Sequence, residues 1–126
     1  MTRGPAEESR ATALAAARAA LDKQARDVAI LDVHEHLVIT DLFVLATGTS
    51  DRQVRTIVDA VEASLRADGR RPLRREGETD GRWVLLDYGD VVVHVFAEEE
   101  RDFYDLERLW GDAPRVPVPD AAPSAG

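Results

Sequence analysis

The spacing of apolar residues changes along the chain, and each change marks an element. Over residues 9–26, Leu14, Ala17, Leu21 and Ala25 fall along one side of a helix, with Ser9 placed to cap it. Val28 to Val33 reads as a strand, and HEHLVIT after it as an irregular connection. Leu42 to Thr47 is a continuous apolar run, as expected of a strand buried on both faces. Gly48-Thr49-Ser50 breaks the run, and Ser50 with Gln53 fits a capping box. Val54, Ile57, Val58, Val61 and Leu65 then recur at helical spacing, with Arg52, Arg55, Asp59, Glu62 and Arg66 turned away from them. Gly69 is suited to end that helix.

A short, basic strand opened by proline follows at Pro72–Arg75, as sheet edges often are. After the turn EGETDG, the stretch WVLLDYGDVVVHVF (residues 83–96) reads as a hairpin, with Tyr88-Gly89 as its two-residue loop. Alternation places Trp83, Leu85 and Asp87 on one face and Val84 and Leu86 on the other. Residues 98–110 read as a helix with acids in its first turn. Its Phe103, Tyr104 and Trp110 are expected to seal it to the sheet rather than to line a binding face. The predicted organisation is a flexible N-terminus at 1–8, a single domain at 9–111 and a Pro-rich disordered tail at 112–126. The predicted fold is α/β, a mixed β-sheet of about five strands flanked by helices.

The formal charge of −8 is concentrated in one part of the chain. Residues 76–107 hold eleven acids against Arg82 and Arg101, while residues 1–75 are close to neutral. Such a field attracts basic proteins and repels phosphate backbones, so this acidic segment is not expected to bind nucleic acid directly. There are no cysteines, which excludes disulfides and thiolate metal sites. No apolar run approaches the roughly 20 residues of a membrane helix. The acidic start at Glu7 and Glu8 argues against a transit peptide, and a cytoplasmic location is expected.

Catalytic chemistry finds little footing. Gly48, Ser50 and Arg52 stand where a strand meets a helix start, a place suited to phosphate. The alternative they support is a degenerate nucleotidyltransferase-like, nucleotide-binding enzyme. That chemistry needs paired carboxylates on the next strand to hold Mg²⁺, and the next strand is PLRRE. His34 and His36, with Asp32 or Asp41, are a sparse metal set. His94 fits a hydrogen-bonded core or strand-face residue better than a base. Asp87 and Asp90 bracket the hairpin turn, where they satisfy turn N–H groups and face water. The expectation is therefore no enzyme, no cofactor and no metal. An indole beside carboxylates is instead the composition of an interface hot spot, charged to steer a basic partner.

Three stretches together carry a resemblance: TDLFVLATGTSDRQV (40–54), EGETDGRWVLLDYGDVVVHVF (76–96) and RDFYDLERLW (101–110). With them the chain resembles a ribosomal silencing factor of the RsfS/Iojap family from about residue 10 to 112. The resemblance implies a nucleotidyltransferase-like fold without its catalytic carboxylates. It implies binding to the large ribosomal subunit through that subunit's fourteenth protein. Occupying that site blocks joining of the small subunit and represses translation under nutrient limitation. Family members also occur as homodimers, so the Trp83 face could instead be a self-contact. In the family the segment matching 83–88 touches the ribosome, which implies that role for Trp83, Leu85, Asp87 and Tyr88, and extends it to Asp90. Leu42 and Thr49 depart from the commoner aromatic and asparagine at their positions. The departures bear on local packing and on the helix cap.

Overall fold

Two strands, Leu42–Gly48 and Val91–Ala97, pair in parallel at the centre of the sheet, and every residue of both is buried. They belong to a computed structural model that describes residues 7–35, 40–77, 81–104, 108 and 111–119. In chain order the elements are α1 (Glu7–Asp22), β1 (Arg26–Asp32), β2 (Leu42–Gly48), α2 (Asp51–Ala67), β3 (Arg74–Glu76), β4 (Trp83–Asp87), β5 (Val91–Ala97), α3 (Glu98–Tyr104) and β6 (Arg115–Val116). The sheet order is β3-β4-β5-β2-β1-β6, and every pairing except β2 with β5 is antiparallel. The mixed α/β sheet matches the sequence expectation, with six strands in place of about five.

Alternation along the strands divides the core in two. On one face Ile30, Val44, Val84, Leu86, Val93 and Val95 meet α1 and α2. All five apolar positions predicted for α2 are buried there. Helix α1 offers Ala13, Ala16, Ala17 and Ala20, small side chains that let it lie close to α2 and the sheet. On the opposite face Leu31, Val33, Phe43, Leu45, Val92 and Phe96 form a second apolar cluster.

Local departures from the sequence reading have local causes. Helix α1 stops at Asp22 rather than near Arg26; Gln24 takes positive φ (63°) in the passage to β1, and Asp27 (49°) at the irregularity near the start of that strand. Ser9 is not a cap. It is buried inside α1, and its hydroxyl donates to Asp90 Oδ2 at 2.7 Å. The capping box is half formed: Ser50 Oγ accepts from Gln53 N–H, but the Gln53 amide oxygen turns to Thr49 N–H at 2.6 Å. Leu42 is fully buried in the core, so the aliphatic side chain is accommodated.

Two corrections concern the hairpin and the tail. Tyr88 N–H bonds to Val91 O, so the loop is Gly89-Asp90, one residue later than Tyr88-Gly89. Gly89, at φ +89°, still supplies the left-handed conformation. The Pro-rich segment expected to be unstructured from 112 contributes β6, which pairs with Ile30 and Leu31 and buries Val116. Prolines flank that strand at 114 and 117, where they remove no ladder donor from it. No helix among the described residues is long and apolar enough to cross a membrane.

Candidate functional site

Strand β4 presents Trp83, Leu85 and Asp87 partly exposed and buries Val84 and Leu86 behind them. Trp83 and Leu85 lie against the second apolar cluster, so their outer surfaces stand on packed core. Trp83 stands opposite Phe96 in the β4–β5 register and stacks on it, with centroids 5.1 Å apart and planes inclined 30°. Its indole N–H donates to Nδ1 of His94 at 3.1 Å. The His94 ring meets Phe43 edge-on at 4.8 Å. Burial, reinforced by the nearby Arg101 cation, pushes the His94 pKa down to about 4, so the imidazole is neutral at pH 7. Accepting through Nδ1 then requires its proton on Nε2, which is buried and has no partner among the described residues. Arg101 is itself buried and anchored, with Nη1 on Thr47 Oγ1 and Nη2 on Asp27 O, both at 2.8 Å. The aromatic platform is thus tied to β1, β2 and α3.

Asp87 closes the face. One carboxylate oxygen accepts from Gly89 N–H at 2.8 Å, and the other lies 3.3 Å from Arg74 on β3.

Tyr88 and Asp90, expected beside these three, are not part of this face. Tyr88 is 3 % exposed and belongs to the cluster beneath α1 and α2. The alternation that buries Val84 and Leu86 extends to it because the loop begins one residue later. Its hydroxyl is buried without a hydrogen-bond partner among the described residues, and burial pushes its pKa up to about 12. Asp90 points toward α1. Its carboxylate meets Arg70 at 2.7 Å and Ser9 at 2.7 Å. Burial opposes its ionisation, but hydrogen bonds from Arg70 and Ser9 outweigh this and hold the carboxyl below its usual range. Its backbone oxygen accepts from Asp41 and Leu42. Asp90 therefore fastens the hairpin tip to the helical layer, with its side chain 30% exposed.

The phosphate alternative meets an occupied corner. A Cβ on Gly48 would lie 2.9 Å from Val54 N, so glycine serves close packing of strand end on helix. The Ser50 and Gln53 side chains already engage N–H groups at the helix start. The Nδ1 of His34 is bonded to Asp32, and that hydrogen bond raises its pKa. Asp41 instead approaches Ser9 at 3.2 Å. His36 lies outside the described residues, as do the side chains of Phe103, Tyr104 and Trp110. Among the described residues no group of three acids and histidines could hold a metal ion.

His94 is the hydrogen-bonded core residue that the sequence led one to expect, but its partner Trp83 and the pairing of Arg82 were not foreseen. His94 is the support of Trp83, and its place two residues before Phe96 on the facing strand was the available signal. Arg82 links Asp51, Glu99 and Glu100 at 2.9–3.5 Å, and Arg26 meets Glu98 at 2.5 Å, so several acids of the negative segment are already paired.

The family model "Ribosomal silencing factor during starvation" matches residues 6–125. The ribosomal silencing factor RsfS of Bacillus subtilis is 44% identical over 99 residues, spanning 79% of this chain and 84% of that protein. The mouse protein named "Mitochondrial assembly of ribosomal large subunit protein 1" is 31% identical over 70% of this chain and 40% of its own length. A crystal structure of a Chromobacterium violaceum protein superposes with a TM-score of 0.78 at 33% identity, covering 93% of this chain and 92% of that one.

Proposed function

Because this chain belongs to the RsfS family of ribosomal silencing factors, we propose that it is a non-catalytic repressor that docks on the large ribosomal subunit and sterically blocks joining of the small one. The partner is the subunit's fourteenth protein, the setting is the cytoplasm under nutrient limitation, and the contact is made by Trp83, Leu85 and Asp87. The observation that carries this reading is the partly exposed indole of Trp83 on a rigid aromatic base, with Leu85 beside it and a carboxylate at the end of the strand. A large, preorganised aromatic loses little conformational freedom on binding, and the carboxylate favours a basic partner. The mouse relative's name, which places it in large-subunit assembly, agrees with the choice of subunit.

Co-sedimentation with purified large subunits, followed by a subunit-joining assay, tests the proposal. Joining should fall in proportion to the fraction of large subunits occupied. Full joining at saturating occupancy would overturn the blocking mechanism, and no co-sedimentation would overturn the docking itself. Native mass across a dilution series, with and without the ribosomal protein, separates this arrangement from a homodimer closed through the Trp83 face.

A further inference from the structure

Five of the chain's fifteen arginines fall within residues 66–75, against one acid, Asp68, in a protein of net charge −8. The end of α2, the following turn and β3 gather them around one groove, which Arg66, Arg70, Arg71, Arg74 and Arg75 line together with Pro72 and Leu73. Among the described residues Glu62 is the one acid on its lining. Arg70 is committed to the fold, bonded to Tyr88 O at 2.9 Å and to Asp90. The other four are differently placed. Arg66, Arg74 and Arg75 have side chains 58%, 63% and 43% exposed, each in contact with a largely buried carboxylate, Glu62 or Asp87. Glu62 lies 4.0 Å from Arg66 and 2.5 Å from Arg75, while Arg74 faces Asp87 and Glu76. Arg71 is exposed. A guanidinium carries five N–H donors, so an arginine held by one carboxylate keeps others for a second acceptor. A guanidinium offers phosphate the same two-pronged geometry that it offers carboxylate. Leu73, 73% exposed, is the exposed large hydrophobic residue among those described, and it stands amid these cations.

The groove lies on the α2 side of the sheet edge and reaches the proposed docking face through Arg74. β3 is the edge strand beside β4, and Arg74 stands opposite Asp87 in register. A protein seated on Trp83 and Leu85 would bring its immediate surroundings to the β3 edge. On a ribosomal subunit those surroundings include RNA. We propose that this arginine groove is a second contact surface, for the phosphodiester backbone of ribosomal RNA next to the docked protein. The inference rests on the ribosome-docking reading. Leu73 supplies an apolar contact to sugar and base edges, and the acidic segment keeps RNA from the rest of the surface.

The test uses the full chain with intact large subunits and, separately, with the purified ribosomal protein. Arg66→Gln combined with Arg71→Gln should weaken binding to intact subunits at least about tenfold between 50 and 200 mM salt. It should also flatten the slope of log affinity against log salt by about 1 to 2. Affinity for the purified protein should not change. Glu62→Gln, which removes a negative charge from beside Arg66 and Arg75, should strengthen subunit binding several-fold, a gain that misfolding does not produce. Unchanged affinity and slope in both variants would overturn the RNA contact and leave the docking reading intact. An equal loss on the purified protein would show that the groove binds protein carboxylates instead, and would also overturn it. Failure of the wild-type chain to bind subunits would remove the docking reading first.

Discussion

Trp83 on β4 donates its indole N–H to Nδ1 of His94 on β5, a diagonal contact across an antiparallel pair in which His94 stands opposite Leu85. The contact fixes the tilt of the indole and the tautomer of the imidazole together. It turns an aromatic side chain at the margin of the core into a rigid projection.

Replacement of Trp83 should therefore cost affinity more than it costs the fold. Trp83→Ala is expected to lose about 2 kcal/mol or more of binding to large subunits, as buried aromatic anchors do. Trp83→Phe keeps the stack on Phe96 but loses the N–H, and should fall between. Equilibrium binding, with urea unfolding as the control for stability, checks the order. Equal affinities for all three would remove Trp83 from the interface.

The two aspartates of the hairpin should separate cleanly. Asp87→Lys reverses a negative charge on the proposed docking face and should slow association in a salt-dependent way, with a smaller loss of stability than the Asp90 variant, from the Gly89 N–H and Arg74 contacts it gives up. Asp90→Lys places a cation against Arg70 and removes the acceptor of the Ser9 hydroxyl. It should destabilise the fold by about 2 kcal/mol or more. Stopped-flow binding and chemical denaturation of each variant distinguish the roles.

His94 predicts a stability slope in mild acid. Its folded pKa is about 4 against the ordinary 6.5, so the unfolded chain takes up a proton that the folded one refuses between those values. Stability is full above pH 6.5 and falls as pH drops, by about 3 kcal/mol on reaching pH 4. His34, whose pKa is raised by its hydrogen bond to Asp32, acts in the opposite sense, its contribution fading as pH rises above 6.5. In His94→Gln the slope between pH 6.5 and 4 should largely disappear. Urea titrations at pH 7, 5.5 and 4.5 on both proteins measure it.

Tyr88→Phe should leave ribosome binding unchanged and hold or raise stability by up to about 1 kcal/mol. The hydroxyl it removes is buried and lacks a hydrogen-bond partner among the described residues. A large loss of affinity would return Tyr88 to the docking face. In the wild-type chain, ultraviolet titration should show one tyrosine ionising only near pH 12.

The elements themselves could be read from the chain because their signals are local. The β2 run, the five apolar positions of α2 and the alternation of β4 depend on residues a few places apart, and all three reappear in the structure. The same alternation already placed Tyr88 with Val84 and Leu86. Assigning the loop one residue too early obscured it, because a hairpin register is settled by cross-strand hydrogen bonds such as Tyr88 N–H to Val91 O. For β6 there was no such local cue. A two-residue strand among prolines exists only because β1 leaves an edge for it to join.

The amino-acid order was enough to specify a mixed α/β sheet, an α2 helix with one apolar side, and a tryptophan on the outward side of its strand, since hydrophobic period and propensity act over short distances. It was also enough to separate an acidic third from a neutral remainder. Which groups each charge meets was settled by folding, which set Asp90 against Arg70 and Ser9, residues 20 and 81 positions away, and Asp87 beside Arg74 on the outer face. Contacts over such separations depend on how helices and sheet pack, and a carboxylate carries the same charge in the chain whether packing later neutralises it or presents it to a partner.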